Sequence, residues 1–157
     1  YTEGLYKNPF IGRTFIMPDQ AKRQRSVQYK LSPQRTEIEG KNILLVDDSI
    51  VRGTTSREIV RMIRKCGAKS VYFATTCPPV KFPCHYGINI PTFDELIANN
   101  KSIQEIQDYM GVDALLYESE ASLVEAVLRR GEHKIDSPCM ACLNGKYVTG
   151  CKKTNST

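Results

Sequence analysis

The sequence predicts an α/β domain built on a parallel sheet. Three observations carry that reading: a continuous β-prone run at Ile43–Val46, a following stretch with Ile59, Val60, Met62 and Ile63 on one helical stripe, and a second β-prone run at Ser70–Thr76. Strand, helix and strand within about 35 residues make a βαβ unit, whose strands run parallel with a right-handed crossover.

The elements follow in chain order. Residues 1–16 mix aromatic and apolar side chains with Gly4, Pro9 and Gly12 and give no clean period. Residues 17–37 are polar, basic and broken by Pro18 and Pro33, and read as a long mobile loop. Structureless loops beyond about 12–15 residues in compact domains commonly serve as lids, so this one is a candidate lid. Ile43–Val46 lacks polar alternation, the pattern of a strand buried on both faces. Thr54 or Thr55 is placed to cap the next helix, and Gly67 sits where its C-terminal cap belongs. Pro78–Pro91 reads as a loop with four prolines, Cys84 and His85. Thr92-Phe-Asp-Glu95 and Ser102-Ile-Gln-Glu105 each have the spacing of a capping box that opens a short helix. Asp113–Tyr117 reads as a further strand, and Leu123, Val124, Val127 and Leu128 mark a last helix ending near Gly131. The tail from Glu132, with three of the six cysteines, reads as loop.

Composition bounds the function. The 157 residues fit one domain, and 41% hydrophobic with 25% charged residues is the balance of an ordinary globular protein. No stretch approaches the roughly 20 apolar residues of a membrane span, and no cleavable signal pattern opens the chain. A cytoplasmic protein with no membrane partner is expected. The net charge of +5 resides between Arg13 and Arg35, where Arg13, Lys22, Arg23, Arg25, Lys30 and Arg35 face only Asp19. Such a patch suits nucleic acid or a strongly anionic small molecule. No aromatic residue interleaves Lys22–Arg25 to stack on bases, so no nucleic-acid partner is expected.

The chemistry concentrates at Asp47–Ser56. Ligands of open α/β sheets bind beyond the carboxyl ends of the strands, where Asp47 and Asp48 fall. Their carboxylates suit vicinal ribose hydroxyls and Mg²⁺. From Ser49 through Ile50, Val51 and Arg52 the chain turns into a helix; Gly53 permits close backbone approach, and Thr54, Thr55 and Ser56 add hydroxyls to the helix-start N–H groups that cradle a phosphate. Together these features describe a site for a phosphorylated ribose. Neither G-x-x-x-x-G-K-[ST] nor a strand-following G-x-G-x-x-G is present. Cys139-Met-Ala-Cys142 is a C-x-x-C pair compatible with zinc, an iron–sulfur cluster or a redox pair. Without a secretory signal, metal or cluster ligation is favoured over a disulfide framework.

At these residues a family resemblance emerges. Val46–Ser56 (VDDSIVRGTTS) resembles the phosphoribosyl pyrophosphate signature of type I phosphoribosyltransferases, with wording similar to the glutamine phosphoribosylpyrophosphate amidotransferase (amidophosphoribosyltransferase) family of de novo purine synthesis. Asn8–Ile16 (NPFIGRTFI) is similar to the start of that family's flexible catalytic loop; Pro83–Asn89 (PCHYGIN), Glu95–Ala98 (ELIA) and Leu143–Thr149 (LNGKYVT) match its C-terminal third.

The resemblance implies a type I phosphoribosyltransferase-like fold, with a parallel sheet flanked by helices and a flexible basic lid loop. Residues 1–150 would form the C-terminal portion of that domain, with the flexible loop at 8–37, the signature at 42–56, a cysteine-bearing segment at 132–150 and a tail at 151–157. It implies phosphoribosyl pyrophosphate and glutamine as substrates, 5-phosphoribosylamine as product, purine nucleotides as feedback inhibitors, and a homo-oligomer at full length. Residue by residue, Asp47 and Asp48 would hold the ribose hydroxyls and Mg²⁺, Ser49–Ser56 the 5-phosphate, and Arg13 and Lys30 would come down with the lid onto the pyrophosphate. Cys84, Cys139 and Cys142 fall on three ligand positions of the [4Fe–4S] cluster found in some members; the fourth ligand would lie outside this chain.

Phe10 stands where the family often has tyrosine, which keeps the ring and loses the hydroxyl. The family's N-terminal glutaminase domain has no counterpart here, and Tyr1 is no substitute for its terminal cysteine nucleophile. The N-terminal part of the transferase fold is likewise expected to be absent and the site incomplete. Two rivals stand beside this reading. One is a stand-alone phosphoribosyl pyrophosphate-binding regulator without catalysis. The other is another purine-related phosphoribosyltransferase, which leaves the Cys84, Cys139 and Cys142 pattern unexplained.

Overall fold

The structure is a computed structural model, and it describes residues 1–7, 31–90, 92–129 and 135–149. Strands β1 (Leu5–Lys7) and β2 (Leu31–Pro33) pair antiparallel, with Lys7 opposite Leu31. Helix α1 (Arg35–Ile38) follows and drives Ile38 into the core, where Leu5 also packs. The expected loop at 17–37 is therefore corrected at its end: Leu31–Ile38 is strand and helix because Leu5 and Ile38 have a core to bury in. Residues 8–30, with Arg13 and Lys30, lie outside the described residues.

The main sheet contains β3 (Asn42–Asp47), β4 (Ser70–Thr75) and β5 (Ala114–Tyr117), all parallel, in the order β3-β4-β5. The register brings Asp47, Thr75 and Tyr117 together at the carboxyl ends. Helix α2 (Thr54–Lys65) makes the crossover from β3 to β4; after it come α3 (Ile97–Asn100) and α4 (Ile103–Met110), which leads into β5. Helices α2 and α4 touch each other and pack on β4 and β5 respectively, so both cover the same face. That face holds the core, with Val60 and Ile63 of α2, Val71 and Phe73 of β4, and Ile106 and Met110 of α4 almost fully buried. Burying one such aliphatic or aromatic side chain contributes about 1.5–3 kcal/mol.

The opposite face differs from the sequence reading. Leu44 is 58% exposed, Val46 65% and Leu116 53%, so β3 is buried on one face only. The exposure belongs to the whole outer face and not to β3 alone, since Tyr72 of the central strand β4 is also exposed.

Caps also depart from expectation. The residue capping α2 is Gly53, in the left-handed region at φ 72°, and no side chain fills the cap. Neither Thr54 nor Thr55 caps the helix, because both lie inside its first turn. Gly67, at φ 88°, ends the helix as expected by donating its N–H to the Arg64 carbonyl at 3.0 Å. The Ser102 box forms in both directions: Glu105 N–H donates to Ser102 Oγ at 3.3 Å, and the Glu105 carboxylate accepts Ser102 N–H at 2.7 Å. The Thr92 box does not form. Phe93–Glu95 is a single 3-10 turn, and the Glu95 carboxylate is drawn away to Arg52.

Helix α5 (Glu120–Leu128) begins at Ser119, whose hydroxyl accepts the Ser122 N–H at 3.0 Å. The cysteine-bearing tail, expected as loop, forms the short helix α6 (Ala141–Asn144), in which Ala141 is buried and Leu143 joins Val80, Ile90 and Leu96 in a second apolar cluster. No helix among the described residues is long and apolar enough to cross a membrane.

Candidate functional site

The carboxyl end of β3 and the start of α2 frame a cavity of about 570 Å³. Asp47, Asp48, Ser49, Val51, Arg52 and Gly53 line it, followed by Thr54, Thr55 and Ser56. Ile50 does not line it; its side chain is fully buried in the core, so within the run it acts as an anchor.

Backbone and hydroxyl contacts hold the two acidic residues at the rim. Thr76 N–H donates to the Asp47 carbonyl at 3.2 Å, and Thr75 Oγ1 donates to the Asp48 carbonyl at 3.0 Å. Asp48 N–H donates to Asp47 Oδ1, and Ser49 Oγ to Asp48 Oδ1, each at 2.9 Å. Burial pushes the Asp47 carboxyl above its ordinary pKa; the Asp48 N–H opposes that shift and the neighbouring Asp48 charge adds to it. A half-buried carboxylate beside a second one is the arrangement that a cation or a pair of hydroxyl donors relieves.

Below the acidic pair, the Gly53 cap offers no side-chain acceptor to the first N–H groups of α2, and no other side chain among the described residues is seen to cap them. They lie at the positive end of a twelve-residue helix, a ready site for an anion. The side chain of Arg52 is already engaged: Nε and Nη2 donate to the two Glu95 carboxylate oxygens at 3.2 and 2.8 Å.

The far wall of the cavity escaped the sequence reading. It consists of Cys77, Val80, Ile88, Asn89, Ile90 and Cys142. Cys77 lies two residues beyond the end of β4, and the rule that loops beyond strand ends line the crevice could have marked it. The wall is tied together through Cys142, whose carbonyl accepts both Lys81 N–H at 3.0 Å and Phe82 N–H at 2.9 Å. Tyr147 Oη closes the same corner by donating to the Pro83 carbonyl at 2.6 Å, and its ring lies 4.6 Å from that of His85.

Cys84 and Cys142 both pack against the second apolar cluster. Burial raises the Cys142 pKa, Cys84 adds to the rise, and Cys139 adds less. Burial likewise raises the Cys77 thiol, reinforced by Cys142 and then Asp48. All five described cysteines are free thiols. The donor chemistry thus suits a thiophilic metal, but among the described residues no three His, Cys, Asp or Glu side chains converge as a ligand set.

Comparison with known proteins matches the fold. The phosphoribosyl transferase domain family matches residues 13–85. The chain is 51% identical over 149 residues to an amidophosphoribosyltransferase of Methanocaldococcus jannaschii, covering 95% of this chain and 30% of that protein. It is 46% identical over 149 residues to the amidophosphoribosyltransferase of Bacillus subtilis, covering 95% of this chain and 31% of the relative. Among solved structures, the glutamine phosphoribosylpyrophosphate amidotransferase of B. subtilis complexed with ADP and GMP superposes with a TM-score of 0.75 at 46% identity, over 92% of this chain and 32% of that one. The chain therefore spans just under a third of the length of the relatives it matches. Sequence and fold agree: the chain has a type I phosphoribosyltransferase fold and is similar to just under a third of the longer amidophosphoribosyltransferases.

Proposed function

We propose that this chain supplies the phosphoribosyl pyrophosphate site of a glutamine-dependent amidophosphoribosyltransferase, which forms 5-phosphoribosylamine in purine synthesis. One observation carries the reading: nine of the ten residues from Asp47 to Ser56 line a single cavity at the carboxyl end of β3, against an uncapped helix start. The helix-start N–H groups and the Thr54, Thr55 and Ser56 hydroxyls cradle the 5-phosphate. The Asp47 and Asp48 carboxylates accept the ribose hydroxyls and orient the ring.

In the reaction, ammonia released from glutamine attacks ribose C1, the bond from C1 to the pyrophosphate oxygen breaks with its electron pair leaving on pyrophosphate, and the new amine sheds a proton. Arg13 and Lys30 are assigned to the lid, where cationic donors stabilise the departing charge and closure excludes water. Mg²⁺, when bound, neutralises part of the pyrophosphate charge, and Asp47 and Asp48 are the side chains that would hold it. The B. subtilis neighbour is complexed with ADP and GMP; a nucleotide 5′-phosphate is the same group as the one cradled here, so purine nucleotides are assigned as competing inhibitors.

Replacing Asp47 and Asp48 together by Asn, in this chain within its complete enzyme, is expected to abolish phosphoribosyl pyrophosphate binding in calorimetry. Unchanged affinity would reject the site.

Cys84, Cys139 and Cys142 are our candidate ligands for a [4Fe–4S] cluster, with the fourth thiolate supplied from outside this chain. The packing of Cys84 and Cys142 on one apolar cluster supports that reading. Anaerobically purified complete protein is expected to be brown, with broad absorbance near about 400 nm, where thiolate-bound iron absorbs. Colourless protein carrying stoichiometric zinc would keep the ligands and reject the cluster.

A further inference from the structure

The structure assigns Glu95 as a positioning residue for the phosphate loop, acting through Arg52. The assignment rests on the phosphate-loop reading of Gly53–Ser56 and adds what holds that loop in shape.

Three consecutive loop residues are fastened to one neighbouring segment. The Val51 carbonyl accepts the Ile97 N–H at 3.0 Å. Arg52 makes its two-bond contact with Glu95, between side chains that are both half-buried. Gly53 lies so close to Ile97 and Tyr109 that a Cβ there would meet Ile97 Cδ1 at 2.8 Å and Tyr109 Cε1 at 3.3 Å. One turn into α2, the Arg57 guanidinium stacks over the Tyr109 ring at 4.5 Å. The loop is thus clamped from Glu95, Ile97 and Tyr109, none of which lines the 570 Å³ cavity.

The chemistry of the clamp follows from its geometry. A backbone anion site binds well only when its N–H groups already point at the ligand. A planar guanidinium held by both oxygens of one carboxylate fixes direction as well as distance, which a lysine or a single hydrogen bond does not. Because Arg52 directs Nε and Nη2 to the Glu95 carboxylate, its charge is paired before any ligand arrives. The cavity then reads phosphate by backbone geometry, with Arg52 as a strut.

The test begins with the complete enzyme without ligand, so that it does not depend on substrate. Glu95→Gln keeps the shape and removes the charge that makes the contact two-bonded. Hydrogen exchange at the amides of Gly53–Ser56 is expected to quicken roughly tenfold, about the factor of one lost charge-assisted contact, with the amides of α4 unchanged. Exchanging the two charges, Arg52→Glu with Glu95→Arg, is expected to restore slow exchange. Unaltered exchange at Gly53–Ser56 in Glu95→Gln overturns the assignment. Affinity then separates it from the parent reading. In the complete enzyme Glu95→Gln is expected to weaken ribose 5-phosphate and leave Mg²⁺-pyrophosphate unaffected; equal weakening of both overturns the positioning role. Failure of the unsubstituted enzyme to bind ribose 5-phosphate overturns the phosphate-loop reading itself, with the exchange result still standing for the clamp.

Discussion

The two faces of the main sheet are built from similar residues and meet different surroundings. On one, Val71 and Phe73 are sealed beneath α2 and α4. On the other, Leu44, Val46 and Leu116 stand in the open with Tyr72 between them. An apolar strand residue therefore does not report its own burial; coverage is decided by elements dozens of residues away. The difference also sets where stability resides, since only the covered face removes its side chains from water on folding.

The contrast is broken most directly by truncation on each side. Phe73→Ala is expected to cost about 3–5 kcal/mol, the range for emptying an aromatic site in a packed core, while Leu44→Ala on the bare face stays below about 1 kcal/mol. Urea midpoints of the two variants measure it, and equal losses would mean that both faces are covered in solution.

A smaller effect sharpens the picture of the covered face. The Tyr117 hydroxyl is buried with no hydrogen-bond partner among the described residues, and burial, with a lesser contribution from Cys77, pushes its pKa to about 12. Tyr117→Phe is expected to stabilise the fold by about 1 kcal/mol, because it removes an unsatisfied polar atom and little packing. A loss of thermal stability would show that the hydroxyl has a partner.

The smallest effects are pH-dependent and compare two aspartates at opposite ends of the sheet. The Asp113 carboxyl is held below its ordinary pKa by the Val71 N–H, which it accepts at 2.7 Å, with Arg64 at 2.8 Å contributing less. Its contribution is present above the unfolded-state pKa and is lost as pH falls through the lowered folded value. Asp47 is raised by burial, so its contribution runs the other way: it is complete below the unfolded-state pKa and is lost as pH rises through the raised folded value. Asp113→Asn should flatten the acid-side loss in a series of urea midpoints against pH, and Asp47→Asn should flatten the decline above the ordinary carboxylate pKa. Slopes of the same sign for both would refute the opposed environments.

Legibility in the sequence followed contiguity. Asp47–Ser56 could be read as a site because the strand end, glycine and helix start are adjacent, so local rules suffice; Ile50 alone turned inward. Apart from Cys77, the wall made with Val80, Ile90 and Cys142 could not be read, since Cys142 reaches it from more than fifty residues away in the sequence. The Thr92 capping box failed for the same reason. Its Glu95 had a local role available and a distant arginine offered a stronger partner. The strand at Leu31–Pro33 was hidden because its partner lies across the intervening residues 8–30.

Cys142 carries one consequence beyond its thiol. Its carbonyl serves two amides of the proline-rich segment, while its side chain borders both the cavity and Cys84. A substitution at Cys142 therefore touches the cavity wall facing Asp47 and the second apolar cluster at once.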